Sequence, residues 1–190
     1  MFFPPELFRI GRELPADFEA IAAETAMLGD GRFAAWPDRD AYSDGWLVMP
    51  LVLDESPEGF EPDIAGNRDL CPRTVAILAR YPEIITAGVS RLLPGAHIYP
   101  HVDVVKPSVY RYHLTLRASG TAGLRDDVET LTCSPGTGMV LDHRQLHESA
   151  NLGDRPRDVF LVDFVASPAE LAAVEAWRGG RIDARPTRAR

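Results

Sequence analysis

The sequence predicts a mainly β domain, a sandwich or a barrel, with helices on either side of the strands. Three observations predict it. Short runs rich in β-branched and aromatic residues recur between Thr86 and Val165. Turn pairs such as Pro94-Gly95 and Pro135-Gly136 separate these runs at the intervals typical of all-β folds. Helical patterns come before and after this region, and 190 residues are enough for one such domain.

The first half of the chain contains two predicted helices and one predicted strand. Pro15–Leu28 is rich in alanine and has proline near its start, which is typical of a helix. Trp46–Leu53 is a short apolar run with valine and leucine, which favours a strand. Cys71–Tyr81 has a helical pattern, because Pro72 suits a first helical turn and Pro82 ends the helix.

The second half is a series of predicted strands followed by one helix. The strands are Thr86–Leu93, Tyr110–Leu116, Glu129–Cys133, Met139–Leu141 and Asp158–Val165. Pro168–Trp177 is the closing helix, and Gly179-Gly180 begins a basic tail. We therefore expect one domain over residues 1–178, with its core at about 46–165, and a solvated tail over 179–190.

The composition limits the partners and the compartment. With 20 basic and 28 acidic residues the net charge is −8, and the absence of a basic stripe argues against nucleic acid and anionic membranes as partners. No apolar run reaches the roughly 20 residues of a membrane span, and the chain start lacks a signal-peptide pattern. Cys71 and Cys133 form neither a disulfide framework nor a four-cysteine zinc site. We expect reduced thiols and a cytoplasmic protein.

His101-Val102-Asp103 is the first feature that suggests chemistry. In an extended segment, residues two apart point to the same side, so the imidazole and the carboxylate can share one metal ion. A third ligand would complete a face of two histidines and one carboxylate, which leaves three coordination positions open. Because His-x-Asp is common by chance, this pattern needs support from elsewhere.

The predicted strand Tyr110–Leu116 has two different faces, since Arg111, His113 and Thr115 alternate with apolar residues. An antiparallel strand with one solvated face would explain this alternation. The alternative is that the polar face lines a cavity and holds an anion there.

The predicted strand Asp158–Val165 is apolar on both sides and should be buried on both. Arg157, at its start, would then enter the interior of the domain. A buried guanidinium needs an anionic partner, and a carboxylate matches its geometry.

His143 and His147 have the spacing of a helical zinc pair, but Arg144-Gln145 do not fit the HExxH signature. Met139–Leu141 indicates a strand followed by a turn at this point. We therefore interpret His147 as a single metal ligand, and His143 as a surface residue or a neighbour of the ligands.

Taken in order, these motifs resemble the aspartyl/asparaginyl β-hydroxylase family of iron(II)/2-oxoglutarate-dependent oxygenases, in its small bacterial form. The resemblance covers about Trp46 to Val165. The matching motifs are Ser90 through Gly95, Pro100-His101-Val102-Asp103, Arg111 through Leu114, Gly138, Leu141-Asp142, His147-Glu148, Asn151, and Arg157 through Asp163. The chain departs from the family at Asp142-His143-Arg144, where an Asp-Asp-Ser/Thr run is usual.

The resemblance implies a double-stranded β-helix (a cupin-like jelly roll) that uses iron(II), 2-oxoglutarate and O2. It makes His101 and His147 the metal histidines, and the chain keeps Asp103 where some members have glycine. Arg157 matches the arginine that pairs with the distal carboxylate of 2-oxoglutarate. Three further residues match positions that help to bind the cosubstrate, namely Ser90, Arg111 and His113.

The expected activity is hydroxylation of an sp3 carbon of an amino acid, either free or bound to a peptide or carrier. Succinate and CO2 would be released, with ascorbate as a supporting reductant. Two other classes of function stay open, a cupin-like metal enzyme that does not use 2-oxoglutarate and a non-catalytic jelly-roll binding module. The sequence does not predict the oligomeric state.

Overall fold

The computed structural model describes residues 1–119 and 122–183. Within these residues the strands are β1 (Phe2–Phe3), β2 (Ala34–Ala35), β3 (Trp46–Leu53), β4 (Ile84–Leu92), β5 (His97–His101), β6 (Val109–Arg117), β7 (Ala122–Asp126), β8 (Thr130–Thr132), β9 (Gly138–Leu141), β10 (His147–Asn151) and β11 (Arg157–Val165). The α-helices are α1 (Arg9–Glu13), α2 (Phe18–Ala26), α3 (Ile64–Leu70), α4 (Pro72–Leu78) and α5 (Pro168–Asp183). Short 3-10 turns connect several of these elements.

The strands form two antiparallel sheets. The larger sheet has seven strands in the order β1-β9-β6-β11-β4-β3-β2, and the smaller has four in the order β5-β10-β7-β8. This is the architecture of a double-stranded β-helix, with helices contributed by both ends of the chain. The predicted fold class is therefore confirmed.

Small apolar clusters join the two sheets. Phe2 and Leu141 of the larger sheet pack with Ala122 and Leu124 of the smaller one. A second cluster joins Leu92 of β4 to Ile98 of β5, together with Tyr42 and Ala96. These contacts hold the inner faces of the sheets together near their ends and leave room for polar groups between them.

The main hydrophobic core lies on the other face of the larger sheet, beneath the helices. Phe160 and Val162 of β11 and Tyr112 of β6 pack there with Ile21 of α2 and Ile77 of α4. Each such side chain contributes about 1.5–3 kcal/mol by its removal from water. The helices thus bury one face of the larger sheet. None of the helices in the described part of the chain is long and apolar enough to cross a bilayer.

Strand β6 shows that the inner face of the larger sheet is both polar and buried. Tyr112 and Leu114 belong to the core beneath the helices. Between them His113 is 8% exposed, and the next inward residue, Thr115, is 0% exposed. The solvated-face interpretation of this strand is therefore wrong, and the polar residues line the interior.

All six predicted strands are present, each within two residues of its predicted bounds, and the helices around residues 15–28 and 71–81 are present in shorter form. Three longer strands, β5, β7 and β10, were not predicted, and neither were the two-residue strands β1 and β2 or the helices α1 and α3. Each of the three strands has five residues and includes charged, glycine or proline residues. Pairing with neighbouring strands outweighs their weak intrinsic preference for extended structure.

The closing helix is longer than predicted. It continues past Trp177 through Gly179 and Gly180 to Asp183, so the predicted tail does not begin at Gly179. Glycine ends a helix readily when it adopts a positive φ. Among the described residues the glycines with a positive φ are Gly45, Gly59, Gly95 and Gly136, so neither Gly179 nor Gly180 has one. Residues 184–190, the remainder of the predicted tail, lie outside the described residues.

Candidate metal centre

His101 and His147 lie directly opposite each other on neighbouring strands. His101 ends β5, His147 begins β10, and the two are register partners in the antiparallel pair. Their ring centroids are 4.2 Å apart. Opposite residues of an antiparallel pair project to the same face of the sheet, so both imidazoles reach one point.

Hydrogen bonds to the backbone fix both rings. Nδ1 of His101 donates to the carbonyl of Tyr99 over 2.7 Å, and Nδ1 of His147 donates to the carbonyl of Gln145 over 2.9 Å. Because a carbonyl only accepts, each Nδ1 carries a proton, and in the neutral ring Nε2 is then the nitrogen with the free lone pair. Burial lowers the pKa of His147 to about 4, so this ring is neutral and able to bind a metal at neutral pH.

Asp103 supplies a third ligand atom. Its Oδ1 lies 3.6 Å from Nε2 of His101, and one ligand atom from each of His101, Asp103 and His147 lies within 4.8 Å of the other two. Among the described residues no other group of three His, Cys, Asp or Glu side chains meets this condition. Two histidines and one carboxylate on one face would leave three coordination positions open.

The other oxygen of Asp103 is held by two donors. Oδ2 accepts hydrogen bonds from Nη1 of Arg111 and Nδ1 of His143, each over 2.9 Å. Burial alone would raise the pKa of the Asp103 carboxyl. The Arg111 charge and the His143 hydrogen bond outweigh burial and keep that pKa well below its usual range. The carboxylate is therefore ionised, as a metal ligand must be.

Arg111 is engaged by two aspartates. Its Nε and Nη2 donate to the two carboxylate oxygens of Asp163 over 2.7 and 2.8 Å, and its Nη1 donates to Asp103. Burial alone would lower the pKa of Arg111, but Asp163 and then Asp103 raise it. Arg111 thus bridges Asp163 to the metal-facing carboxylate, and its predicted contact with a cosubstrate stays a prediction.

Arg157 is the buried cation that has no carboxylate partner in the described structure. It is 3% exposed, and one of its terminal nitrogens donates to the hydroxyl of Ser149. Its Nε and Nη2 are buried and have no hydrogen-bond partner among the described residues. Arg91 and Arg111 each present this same edge to both oxygens of an aspartate. Arg157 therefore offers a free two-nitrogen edge to a carboxylate.

Two further polar side chains of the inner face are also without hydrogen-bond partners in the described part of the chain. Both ring nitrogens of His113 and the hydroxyl of Thr115 are buried without a hydrogen bond to any described residue. Burial, followed by the charges of Arg157 and Arg111, lowers the pKa of His113 well below its usual value. The ring is neutral, so it can donate or accept a hydrogen bond beside Arg157 without adding charge.

A cavity of about 780 Å³ reaches the metal centre from the side of β3 and β4, and His101, Asp103 and Arg111 border it. Ser90 also lines it, and its hydroxyl accepts a hydrogen bond of 3.0 Å from Nε1 of Trp46. His147 and Arg157 do not line this cavity. The structure therefore has a wide approach to the metal centre and a separate, deeper set of polar groups around Arg157.

The cavity wall is mostly apolar and carries unpaired acids. Trp36 and Phe60 stand on one side of it, near Asp38, Glu55 and Glu58. No hydrogen bond or ion pair is formed by these three carboxylates within the described residues. Among the described lining residues the one permanent cation is Arg111, whose charge is already balanced. The cavity thus favours an apolar or cationic molecule over an anionic one.

The structure brings His101, Asp103 and His147 together, while the other four predicted site residues surround them. His143 corrects one interpretation, since it is 0% exposed and cannot be a surface residue. The sequence did not predict a partner for Asp163, which forms an ion pair with Arg111. Residues alternate along β11, so Asp163 shares a face with Arg157, and this could have suggested an inward carboxylate beside Arg111.

The chain is similar in sequence to a known protein family. The sequence profile of the family described as Aspartyl/Asparaginyl beta-hydroxylase matches residues 15–167, which is more than half of the chain. The ornithine lipid ester-linked acyl 2-hydroxylase of Rhizobium tropici is 31% identical over 122 residues. That alignment covers 63% of this chain and 43% of the relative, so the chain spans less than half of the relative's length.

Solved structures with a likeness to this chain include a prolyl-4-hydroxylase of Pseudomonas putida, with 17% identity and a TM-score of 0.47. That likeness covers 87% of this chain and 89% of the other. The Cupin_2 domain of an XRE family transcriptional regulator from Enterobacter cloacae has 16% identity and a TM-score of 0.43, over 65% of this chain and 100% of that domain. Both TM-scores are below 0.5, so the family assignment depends on the sequence match and not on these structures.

Proposed function

Because the chain belongs to the aspartyl/asparaginyl β-hydroxylase family, we propose that it hydroxylates its substrate with iron(II), 2-oxoglutarate and O2. His101, Asp103 and His147 are the proposed metal ligands. The observation that carries the proposal is the free edge of Arg157. Its Nε and Nη2 are buried without a partner among the described residues, and a carboxylate would pair with both nitrogens.

The side chains of this centre fit both iron(II) and 2-oxoglutarate chemically. Two imidazoles and one carboxylate suit iron(II) and leave positions for a chelating 2-oxo acid and for O2. The distal carboxylate of 2-oxoglutarate would pair with Nε and Nη2 of Arg157, with the Ser149 hydroxyl beside it. When bound, iron and 2-oxoglutarate would supply the chemistry by which O2 hydroxylates a C–H bond, with one oxygen atom going to the product and the other to the succinate that is released with CO2.

The protein's own residues orient these groups. Backbone carbonyls hold the proton of each metal histidine on Nδ1 and turn Nε2 toward the metal. Arg111 and His143 hold one oxygen of Asp103 and leave the other free. His113 is proposed to hydrogen-bond the cosubstrate as a neutral ring, and Ser90 and Arg111 remain proposed cosubstrate contacts through the resemblance.

The other two classes of function predict different behaviour. A cupin-like metal enzyme of another type would bind a metal without needing 2-oxoglutarate, and a binding module would need neither. Neither class by itself accounts for the buried edge of Arg157, whose Nε and Nη2 have no hydrogen-bond partner among the described residues.

The substrate class follows from the cavity and from the relative. The relative's name describes hydroxylation of an acyl chain on an ornithine lipid. The cavity combines apolar walls with the unpaired carboxylates Asp38, Glu55 and Glu58. We propose a substrate with an alkyl or acyl segment and an ammonium group, such as a derivative of a cationic amino acid. The proposal restricts the expected amino-acid substrate to derivatives of cationic amino acids, and it argues against aspartate as the substrate. A cytoplasmic location stays a prediction.

Binding of 2-oxoglutarate to metal-loaded protein tests the proposal. Calorimetry with the manganese(II)-loaded chain under nitrogen should show one 2-oxoglutarate per chain, and none after chelation of the metal. Succinate, which lacks the 2-oxo group that would chelate the metal, should bind more weakly. If 2-oxoglutarate binds equally well with and without metal, or not at all, the proposed chemistry is wrong.

A further inference from the structure

Asp103 and His143 are joined by two hydrogen bonds. The backbone N–H of Asp103 donates to the carbonyl of His143 over 2.9 Å. The side chain of His143 donates back from Nδ1 to Oδ2 of Asp103, also over 2.9 Å. His143 is fully buried, while the Asp103 carboxylate that it holds is 25% exposed.

The position of His143 in the chain links two proposed ligands. His143 lies in the turn after β9, and His147 begins β10 a few residues later. The segment that carries His147 therefore also holds Asp103, which follows β5 on another part of the chain. Movement of this turn would displace both ligands together.

Oδ2 of Asp103 has no capacity left for a metal ion. A carboxylate oxygen has two lone pairs, and Arg111 and His143 each occupy one of them. Oδ1 makes no such bond and faces His101. The arrangement allows Asp103 to bind a metal through one oxygen only.

We propose that His143 is a positioning residue that keeps Asp103 a one-oxygen metal ligand. This inference rests on the proposed function, because it requires a metal at His101, Asp103 and His147. Without the His143 donor, Oδ2 has a free lone pair and the carboxylate can turn to bind with both oxygens. A second carboxylate oxygen on the metal would take a position that the 2-oxo acid or O2 requires.

A packing role for His143 is the structural alternative. On that view its imidazole only fills space beside Asp103, and any replacement of similar size would serve. The two views differ in their dependence on the donor atom. In the positioning role a donor must stand at the place of Nδ1, whereas packing depends on volume alone.

Two amide replacements separate these views. The side-chain nitrogen of asparagine stands at about the place of Nδ1, while that of glutamine lies one bond further out, near the place of Nε2. We expect His143→Asn to preserve the bond to Asp103, and His143→Gln and His143→Leu to lose it. His97→Leu is the matched control. His97 is a half-exposed histidine that pairs with Glu148, and it is not one of the proposed metal ligands.

The test is titration of each protein with cobalt(II) alone, followed by visible absorption and calorimetry. Wild type, His143→Asn and His97→Leu should bind one cobalt(II) with the same affinity and the same spectrum. His143→Gln and His143→Leu should bind about 10–100-fold more weakly and show a changed cobalt spectrum. Circular dichroism before metal addition checks that each variant is folded.

The outcomes are distinct. If asparagine and glutamine at this position behave alike, in affinity and in spectrum, then His143 does not act through its donor and the inference is wrong. That comparison holds even if His143→Leu does not fold. If the folded wild type binds no cobalt(II), the proposed function fails and this inference fails with it.

Discussion

His101 and His147 are register partners across two antiparallel strands, with ring centroids 4.2 Å apart. Asp103, two residues beyond the end of this pairing, adds a carboxylate oxygen 3.6 Å from the His101 ring. Backbone hydrogen bonds between β5 and β10 position the two histidines, so the smaller sheet sets the separation of these two proposed ligands.

Removal of either histidine should abolish metal binding at stoichiometric concentrations. His101→Ala and His147→Ala each remove one ligand of three, which should weaken binding by more than the about 10–100-fold typical of residues behind the ligands. Metal content after dialysis measures this loss, with His97→Ala as control. Full occupancy in either ligand variant would remove that residue from the centre.

Loss of Arg157 should raise the 2-oxoglutarate requirement steeply. Arg157→Ala removes the charged partner of a buried carboxylate, a loss of about 2–5 kcal/mol. Arg157→Lys should recover only part of the affinity, because an ammonium cannot reproduce the two-nitrogen edge. Calorimetric titration of manganese-loaded variants measures the effect, and Arg125→Ala, an exposed arginine, is the control. Unchanged affinity in Arg157→Ala would exclude this contact.

Replacement of Asp103 should uncouple the reaction. Asp103→Ala keeps both histidines, so metal binding should weaken without vanishing, while succinate forms in excess of hydroxylated product. The ratio of succinate to product measures the coupling, and Asp69→Ala at an exposed position is the control. A ratio near that of wild type at undiminished turnover would indicate that Asp103 only supports the ligands.

The metal-free protein should lose stability as the pH falls below the ordinary histidine range. The pKa of His147 is lowered from 6.5 to about 4 by burial, and burial lowers that of His113 in the same direction. Between about pH 6.5 and pH 4 the unfolded chain binds protons that these buried rings exclude, so acid favours unfolding. Thermal unfolding across this range measures the slope. His113→Phe should reduce it, and an equal slope in that variant would contradict this explanation.

The cavity carboxylates should select for substrates with a positive charge. Neutralising Asp38, Glu55 and Glu58 as amides should raise KM for a cationic substrate and leave kcat nearly unchanged. Each exposed pair is worth about 0.2–1 kcal/mol, so the three changes together should have a severalfold effect. Glu175→Gln, on exposed helix surface, is the control. An equal change in KM for neutral and cationic substrates would contradict a charge-based preference.

The sequence predicted the long strands and the candidate ligands better than the short elements. The apolar pattern of residues 158–165 indicated burial on both faces, and β11 is buried on both. The short strands β5 and β10, which carry the two proposed metal histidines, were missed because their residues favour extended structure only when paired. Local pattern suggested the candidate ligands but not the strand pair that brings them together.

Partners distant in sequence were the other features that the sequence did not reveal. The bonds from Arg111 to Asp163 and from His143 to Asp103 join residues 52 and 40 positions apart. Neither pair forms a local motif, so only the register of the folded sheets brings its members together. The sequence therefore left His143 as either a surface residue or a neighbour of the ligands, and its complete burial beside Asp103 decides for the second.

Oxygen-dependent conversion of 2-oxoglutarate to succinate by the iron-loaded chain tests the central claim most directly. The assay contains ascorbate and a panel of cationic, neutral and anionic amino acids, each free and as its acyl derivative. Wild type should form succinate over many turnovers, stimulated most by an acylated cationic compound, while His147→Ala should form none above background. If wild type with one iron per chain forms no more succinate than His147→Ala with any member of the panel, the chain is not a 2-oxoglutarate-dependent hydroxylase of this substrate class.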